Sequence, residues 1–290
     1  MELTARGLRF VLLAMFAVFF VAPMLWLILA TTKSDAALVT SNPFAVGSYH
    51  QVVQAWGHLD AFSDHLYRRW LGNSLVYALS ATAIVLATAI PAGYGLAIGQ
   101  FPGRRLVLML TLVVMIMPAA ALVLPIFLEL NALHLIGNEL SVILPFAFYP
   151  FGVYLAYIYY ASAIPRELLD AARVDGCGEW STFRYIALPL AKPVVALVLF
   201  FSFVADWNNF FLPYAVLADS SQYPIQVGLS DLLSSTPSFN PAVGGGGQQV
   251  NIFRPELALA TLLAVVPVAI VFMLSQRSLV RGLVGGAVKE

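Results

Sequence analysis

The chain has 290 residues, of which 60% are hydrophobic and 10% are charged, and its formal net charge is zero. Soluble domains carry about 25% charged residues, so a water-soluble particle of this size could not cover so much apolar surface. The neutral balance gives no support for nucleic-acid binding, and the single cysteine, Cys177, excludes an internal disulfide and a metal site built from cysteines. The composition predicts an integral membrane protein that is partly solvated by lipid.

Six apolar stretches are long enough to cross a bilayer as helices. Such a span needs about 20 residues, and it must be helical because backbone amides in lipid find partners only within the chain. The first stretch follows Arg6 and Arg9, as in a signal peptide, but it is longer than the usual apolar region and no clear cleavage site follows it. We expect an all-α membrane protein with six transmembrane helices, at about residues 10–30, 73–98, 106–128, 140–162, 190–212 and 257–275.

Several of these stretches contain residues that break helices. Proline lacks the backbone N–H that an interior helical position needs, and in lipid such breaks survive where neighbouring helices or a cavity satisfy the freed groups. The sequence therefore predicts interruptions, most of them fixed kinks, at Gly93-Tyr94-Gly95, Pro118, Pro125, Pro145, Pro150 and Pro267.

The distribution of basic residues predicts the orientation in the membrane, because segments rich in Lys and Arg stay in the cytosol. With the N-terminus inside, four basic residues fall outside, namely Lys33, Arg68, Arg69 and Arg254. Eleven fall inside, namely Arg6, Arg9, Arg104, Arg105, Arg166, Arg173, Arg184, Lys192, Arg277, Arg281 and Lys289. This imbalance predicts that both termini are cytosolic.

Two long connections, residues 31–72 and 213–256, are then outside. The second contains the run Gly244–Gly247, which indicates a flexible external loop, because the sequence has no G-x-x-x-x-G-K-[ST] phosphate-binding motif. We therefore expect no nucleotide and no other cofactor to bind this chain.

The inside segment 163–189 is patterned as a helix, a turn and a second helix. Pro165 suits a first helical turn, and Glu167 would be favoured in the positive N-terminal turn. Asp175-Gly176 indicates a turn, and a second short helix is expected from about residue 178 to 186, before Leu188-Pro189 leads back into the membrane.

The first of these helices is expected to present Leu168, Ala171 and Ala172 on one face. One interpretation is a cytosolic helix that docks into a groove of another protein, and the other is a connector that rests on lipid headgroups. A helix on a lipid surface usually shows large apolar residues and a Lys/Arg-rich face. The small face and the acidic flank of this segment favour the protein groove.

The spacing of this segment resembles the EAA loop of ABC importer permeases. The residues that carry the resemblance are Asp170-Ala171-Ala172, Gly176 and Ile186-Ala187-Leu188-Pro189, with Asp170 in place of the usual glutamate. The resemblance implies a coupling helix seated in a separate ATP-binding subunit. It implies contacts to that subunit from Glu167, Leu168, Asp170, Ala171, Ala172, Asp175, Gly176, Phe183, Leu188 and Pro189.

Two further segments narrow the resemblance. The stretch from Phe203 to Pro213 is similar to the tryptophan-asparagine segment of MalG-like permease subunits of bacterial carbohydrate importers, and the run from Gln276 to Lys289 resembles the tail of that branch. The resemblance implies a type I ABC importer permease fold in a bacterial cell membrane. The implied partners are a second homologous permease subunit, two ATP-binding subunits that hold ATP and Mg, an extracytoplasmic solute-binding protein and a sugar-like solute.

A polar group near the end of the fifth predicted span is a candidate for the solute pathway. A carboxylate in hydrocarbon is costly, so Asp206 should face a polar cavity, a partner or interfacial water. Trp207 offers a stacking face and Asn208 and Asn209 offer amides, which is the chemistry that a sugar ring requires. Asparagines also join helices by hydrogen bonds, so a packing role remains open.

Two other classes of function compete with an ABC permease. An ion-coupled secondary transporter would need an inverted repeat and paired midplane carboxylates, and Asp206 alone does not supply these. An intramembrane enzyme would need a catalytic signature, and neither H-E-x-x-H nor G-x-S-x-G occurs. A permease for a solute other than a sugar also remains open.

Overall fold

The computed structural model describes residues 2–237, 239–240 and 252–285, but not the side chains of residues 2–5 and 279–285. The run Gly244–Gly247 and the end of the C-terminal tail lie outside these ranges. Within them every regular element is helical: α1 (Glu2–Ala30), α2 (Asp35–Thr40), α3 (Tyr49–Ala61), α4 (Leu66–Ile98), α5 (Arg104–Ile116), α6 (Ala119–Ala132), α7 (Leu140–Phe146), α8 (Pro150–Ser162), α9 (Arg166–Val174), α10 (Glu179–Leu190), α11 (Lys192–Trp207), α12 (Phe211–Val216), α13 (Ile225–Ser234) and α14 (Arg254–Gly285).

Four segments can each cross a membrane without a sharp bend, and two predicted spans are bent. Residues 6–30, 66–98, 140–162 and 254–278 are each long and apolar enough to cross a membrane, whereas α5 with α6 and α10 with α11 reach that length only as pairs, bent by 109° and 78°. The described residues therefore hold four spans, or six if each bent pair counts as one. The spans predicted over 106–128 and 190–212 correspond to these two bent pairs, and the first bend lies next to Pro118, where the sequence predicts an interruption.

Proline chemistry explains the first bend. Pro118 disfavours helical geometry at the preceding residue, and Met117 is extended with ψ 128°. Pro150 similarly begins α8 after a break at residues 147–149. Pro125, Pro145 and Pro267 lie inside α6, α7 and α14, so the helix continues through each of them, and a kink at these positions stays a prediction.

Gly93 lies inside α4, where the sequence predicts a break. A Cβ atom built on Gly93 would lie 2.4 Å from the Cβ of Ala156 in α8, so this glycine lets two helices pack closely and does not bend one. Small residues serve the same purpose at many helix contacts in membranes. Around this contact, α4, α8 and α11 share one buried apolar cluster, whose members include Val85, Ala89, Tyr94, Ala97, Ala156, Tyr160, Val194 and Val198.

By their contacts, the residues divide into two compact units. One comprises Met1–Arg69 with Gly228–Val266, and the other comprises Trp70–Val227 with Pro267–Glu290. The apolar cluster of α4, α8 and α11 belongs entirely to the second unit.

The connection over residues 31–72, expected as a loop, contains α2, α3 and the start of α4. The side chains of Ser34 and Ser48 accept hydrogen bonds from backbone N–H groups at the starts of α2 and α3, which stabilises short helices that carry no long apolar run. These two helices were missed because a search for spans detects only long apolar stretches.

The four basic residues expected outside all have partners within the first unit. Lys33 donates to the carbonyls of Asn42 and Pro43, at 2.6 and 3.1 Å. The other contacts are Arg254 with Asp35 at 3.2 Å, Arg69 with Asp64 at 2.8 Å, and Arg68 with Asp60. Each of these four basic side chains therefore contacts a group of the same unit. The orientation in the membrane stays a prediction.

We expect Gly93→Ala to lower the thermal unfolding midpoint of the detergent-solubilised chain. The added methyl has no space against Ala156, and such overpacking costs about 1–3 kcal/mol. Gly95→Ala is the matched control two residues away, because its Cβ meets no atom within 4 Å. Alanine should raise helix stability there by up to about 1 kcal/mol, and midpoints that move in the same direction would refute the close contact.

Candidate functional site

Helix α9 is the element predicted to couple to a partner, and its two ends are well defined. Pro165 is its N-cap with ψ 130°, so the helix begins at Arg166, one residue later than expected. At the other end, Cys177 N–H donates to Ala172 O at 2.9 Å and Gly176 N–H donates to Arg173 O at 3.0 Å. This is a Schellman motif. Gly176 has φ +82°, a left-handed conformation that favours glycine, and the predicted turn is confirmed.

The residues that the sequence places together on one face of α9 lie on two different faces in the structure. Ala172 is only 4% exposed and lies inward with Leu169, whereas Leu168 and Ala171 are exposed. A helix turns by about 100° per residue, so positions 169 and 172 share the inner face, and positions 167, 171 and 174 share the outer one. The expectation that Ala172 contacts another protein is therefore wrong for this conformation.

The inner face of α9 is joined to the helices of the membrane region. Leu169 belongs to the same buried cluster as Tyr94 of α4, Tyr160 of α8 and Val194 of α11. Phe183 of α10 is also a member, with its ring centroid 5.1 Å from that of Tyr94. Phe183 is therefore buried within this chain, where it links α10 to α4, and does not offer the surface that the resemblance implied.

Charged side chains connect α9 to α10. Arg173 Nη1 lies 2.9 Å from Asp170 Oδ1, and Arg173 Nε lies 3.1 Å from Glu179 Oε1. Hydrogen bonding to Glu179, followed by the charge of Glu179 and the contact with Asp170, raises the pKa of Arg173 above its ordinary value. Asp170, the acidic residue of the motif, is thus already paired within α9.

Helix α10 is longer than the sequence indicates. It continues from Glu179 to Leu190 through a π-helical turn at Phe183–Ala187, so Leu188 and Pro189 are part of it. Three exposed apolar side chains near this element were missed, namely Val174, Trp180 and Tyr185. Val174 is 88% exposed, and its position three residues after Ala171 is the signal that could have identified it.

The candidate solute residues lie at the end of α11. Thr82 Oγ1 donates to Asp206 Oδ2 at 3.4 Å, while Asn208 Nδ2 donates to Val204 O at 2.9 Å and Asn208 Oδ1 accepts from Gln226 Nε2 at 3.4 Å. The structure thus brings Asp206 and Asn208 together with two residues that sequence reasoning missed, Thr82 and Gln226.

The other two predicted residues of this group are more enclosed. Trp207 is 1% exposed and stacks on Phe203, with ring centroids 5.6 Å apart. Its indole therefore presents no open face to a sugar in this conformation, which does not fit the predicted stacking role. Asn209 Nδ2 is buried and makes no hydrogen bond to the part of the chain that the structure describes.

Comparison with known proteins identifies relatives along most of the chain. The family described as binding-protein-dependent transport system inner membrane component matches residues 89–285. The chain is 36% identical to the arabinooligosaccharides transport system permease protein AraQ of Bacillus subtilis (strain 168), over 77% of this chain and 74% of that protein. It is 29% identical to the diacetylchitobiose uptake system permease protein NgcG of Streptomyces coelicolor, over 92% and 83%.

A solved structure has the same fold. It is a chain from the crystal structure of a bacterial ABC transporter involved in the import of the acidic polysaccharide alginate, with a TM-score of 0.79 and 22% identity. The likeness covers 95% of this chain and 96% of that chain. The expected all-α permease fold is confirmed.

Arginine substitutions at two neighbouring alanines should separate the two faces of α9. We expect Ala172→Arg to lower the stability of the solubilised chain by about 3 kcal/mol or more, because it places an unpaired charge among buried apolar groups. Ala171→Arg should change it by no more than about 0.5 kcal/mol, as for other surface positions. Thermal unfolding measures both, and equal losses would refute the assignment of the faces.

Proposed function

The chain belongs to the family of binding-protein-dependent transport system inner membrane components, and we propose that it is the permease subunit of an ATP-driven importer of a sugar. The proposed assembly contains a second homologous permease subunit, two ATP-binding subunits and an extracytoplasmic solute-binding protein. ATP and Mg bind to the ATP-binding subunits, which carry out the hydrolysis. The names of the relatives AraQ and NgcG, which refer to arabinooligosaccharides and diacetylchitobiose, support a carbohydrate solute.

The division of α9 into a buried face and an exposed face carries this proposal. Glu167, Ala171 and Val174 face outward, and the small side chain of Ala171 lets the backbone of another protein approach closely. The exposed Leu168 and Asp175 flank this ridge. We assign the ridge, with Gly176 at its end, to the groove of an ATP-binding subunit.

The buried face provides the mechanical connection. Leu169 and Phe183 lie in the cluster that also contains residues of α4, α8 and α11, and packed interiors resist compression. A displacement of α9 by the ATP-binding subunit therefore moves the ends of three membrane helices. The Schellman turn at Gly176 and the contacts of Arg173 hold α9 and α10 in a fixed relation while they move.

ATP can drive alternating access only through unequal binding to the two states. A ligand shifts a conformational equilibrium by its differential affinity for them, and a change from 1:99 to 99:1 needs about 5.5 kcal/mol. In this proposal, ATP binding favours closed ATP-binding subunits and an outward-open cavity, and hydrolysis restores the inward-open state. The membrane orientation that this requires places α9 and both termini in the cytosol.

The polar group at the end of α11 is assigned to the solute pathway. Asp206, Asn208 and Gln226 supply hydrogen-bond acceptors and donors that match sugar hydroxyls, and Asn209 adds a buried amide. Trp207 has a packing role next to this group, because its ring stacks on Phe203. Family membership disfavours a self-sufficient ion-coupled carrier, which would not depend on a binding protein.

We expect Ala171→Arg to abolish transport while the chain still folds and inserts. The long cation at the centre of the ridge would prevent the groove of the ATP-binding subunit from closing on α9. The assembled transporter should lose the ATP-binding subunit on purification, and sugar uptake into proteoliposomes supplied with ATP and binding protein should fall to background. Ala163→Arg is the matched control, because Ala163 is exposed and lies outside α9. Wild-type assembly and uptake in Ala171→Arg would overturn the docking assignment.

Asp206→Asn and Asn208→Ala should change how the transporter responds to its sugar. A hydrogen bond between neutral groups is worth about 0.5–1.5 kcal/mol, so we expect solute-dependent ATP turnover to fall by about two- to tenfold with subunit assembly unchanged. Asp64→Asn is the control, because Asp64 is an exposed residue paired with Arg69. Unchanged kinetics across a panel of oligosaccharides would assign both residues to packing.

A further inference from the structure

Helix α5 leaves an apolar groove beside it. None of its residues is buried, although it packs against α8. The groove lies between α4, α5 and α8, has a volume of about 480 Å³ and is lined almost wholly by carbon. From α5 it is lined by Val107, Leu110, Thr111 and Val114, which follow the i, i+3, i+4, i+7 spacing of one helix face.

A basic depression adjoins this groove. Phe101 lines both the groove and the depression formed by residues 100–106. The guanidinium of Arg104 in that depression already donates to Ala97 O at 3.2 Å and to Gly99 O at 3.4 Å, which holds it at the end of α4. Arg105 is exposed and has no hydrogen-bond or ion-pair partner among the residues that the structure describes. It is therefore available to a ligand.

The dimensions and the charge suit a single class of ligand. From Arg105 to Val114, α5 rises by about 14 Å at 1.5 Å per residue, so a long apolar slot lies next to a cation. We propose that this groove is a binding site for an anionic phospholipid, with one acyl chain along α5 and the phosphate at Arg105. The leaflet involved depends on the orientation under Proposed function, in which residues 99–105 are cytosolic.

A helix from a second permease subunit is a less suitable occupant. It would need an acidic side chain at the height of Arg105 to avoid leaving the cation unpaired beside apolar surface. A phospholipid brings its negative charge at the level of the headgroup, where basic residues between membrane helices bind such lipids. Charge complementarity therefore favours the lipid.

Native mass spectrometry of the purified full chain tests the proposal, with phosphatidylglycerol and phosphatidylcholine of equal chain length as probes. Wild type should prefer phosphatidylglycerol by about fivefold, the effect expected of one basic residue near an anionic headgroup. Arg105→Gln should remove this preference and keep the binding of phosphatidylcholine. Arg184→Gln, an exposed arginine of α10, is the charge control and should keep the preference.

Filling the groove tests the acyl-chain half of the site. A Cβ on Gly95, which lines the groove, meets no atom within 4 Å, and the same holds for Gly72 in the same helix. We expect Gly95→Phe to reduce the binding of both lipids several-fold and Gly72→Phe to leave it unchanged. Leu110→Trp, with Met109→Trp as its control outside the groove lining, repeats the test if Gly95→Phe does not fold.

Two results would overturn the proposal. If the preference for phosphatidylglycerol survives in Arg105→Gln, the proposed contact between Arg105 and the lipid headgroup is refuted. Alternatively, Gly95→Phe could leave lipid binding intact but prevent co-purification of a second permease subunit, which would assign the groove to a protein helix. The measurement does not involve transport, so its failure is distinguishable from failure of the proposed sugar import.

Discussion

The burial of Leu169 in the apolar cluster of α4, α8 and α11 is the interaction on which the proposed mechanism depends. Without it, α9 would be a surface helix whose movement changed nothing in the membrane. In the proposed mechanism, dense packing converts a displacement of α9 into a movement of three helices, because close-packed side chains transmit strain. The same burial orients α9, since it directs Ala171 and Val174 outward once Leu169 and Ala172 are inward.

Close packing elsewhere in the second unit supports this connection. Gly93 brings α4 against α8 at Ala156, and Gly152 of α8 would place a Cβ 3.0 Å from Val198 of α11. Apolar burial gives little driving force between helices in lipid, so such contacts rely on close backbone approach. By contrast, Gly95 meets nothing at its Cβ, and there the helices leave the groove that we assign to lipid. Two glycines of one helix, separated by Tyr94, thus have different roles: Gly93 permits a close helix contact, and Gly95 lines an open groove.

Much of the architecture could be predicted from the sequence. Hydropathy locates all six apolar regions, because the bilayer requires long uncharged helices. The turn at Asp175-Gly176 follows from local chemistry, since Gly176 adopts a left-handed conformation that other residues disfavour. The family could be identified from the spacing of the segment around α9, which depends only on residue order.

The sequence by itself determined that this chain is a helical membrane permease, with a helix–turn–helix between its fourth and fifth apolar regions. The tertiary structure alone decided which side of that helix is free, because periodicity allows either Leu168 or Leu169 to face the core, and only the buried cluster that contains Tyr94 and Tyr160 selects Leu169. It also decided that Phe183 and Trp207 are interior residues. Their burial depends on side chains distant in sequence, which no local pattern reports.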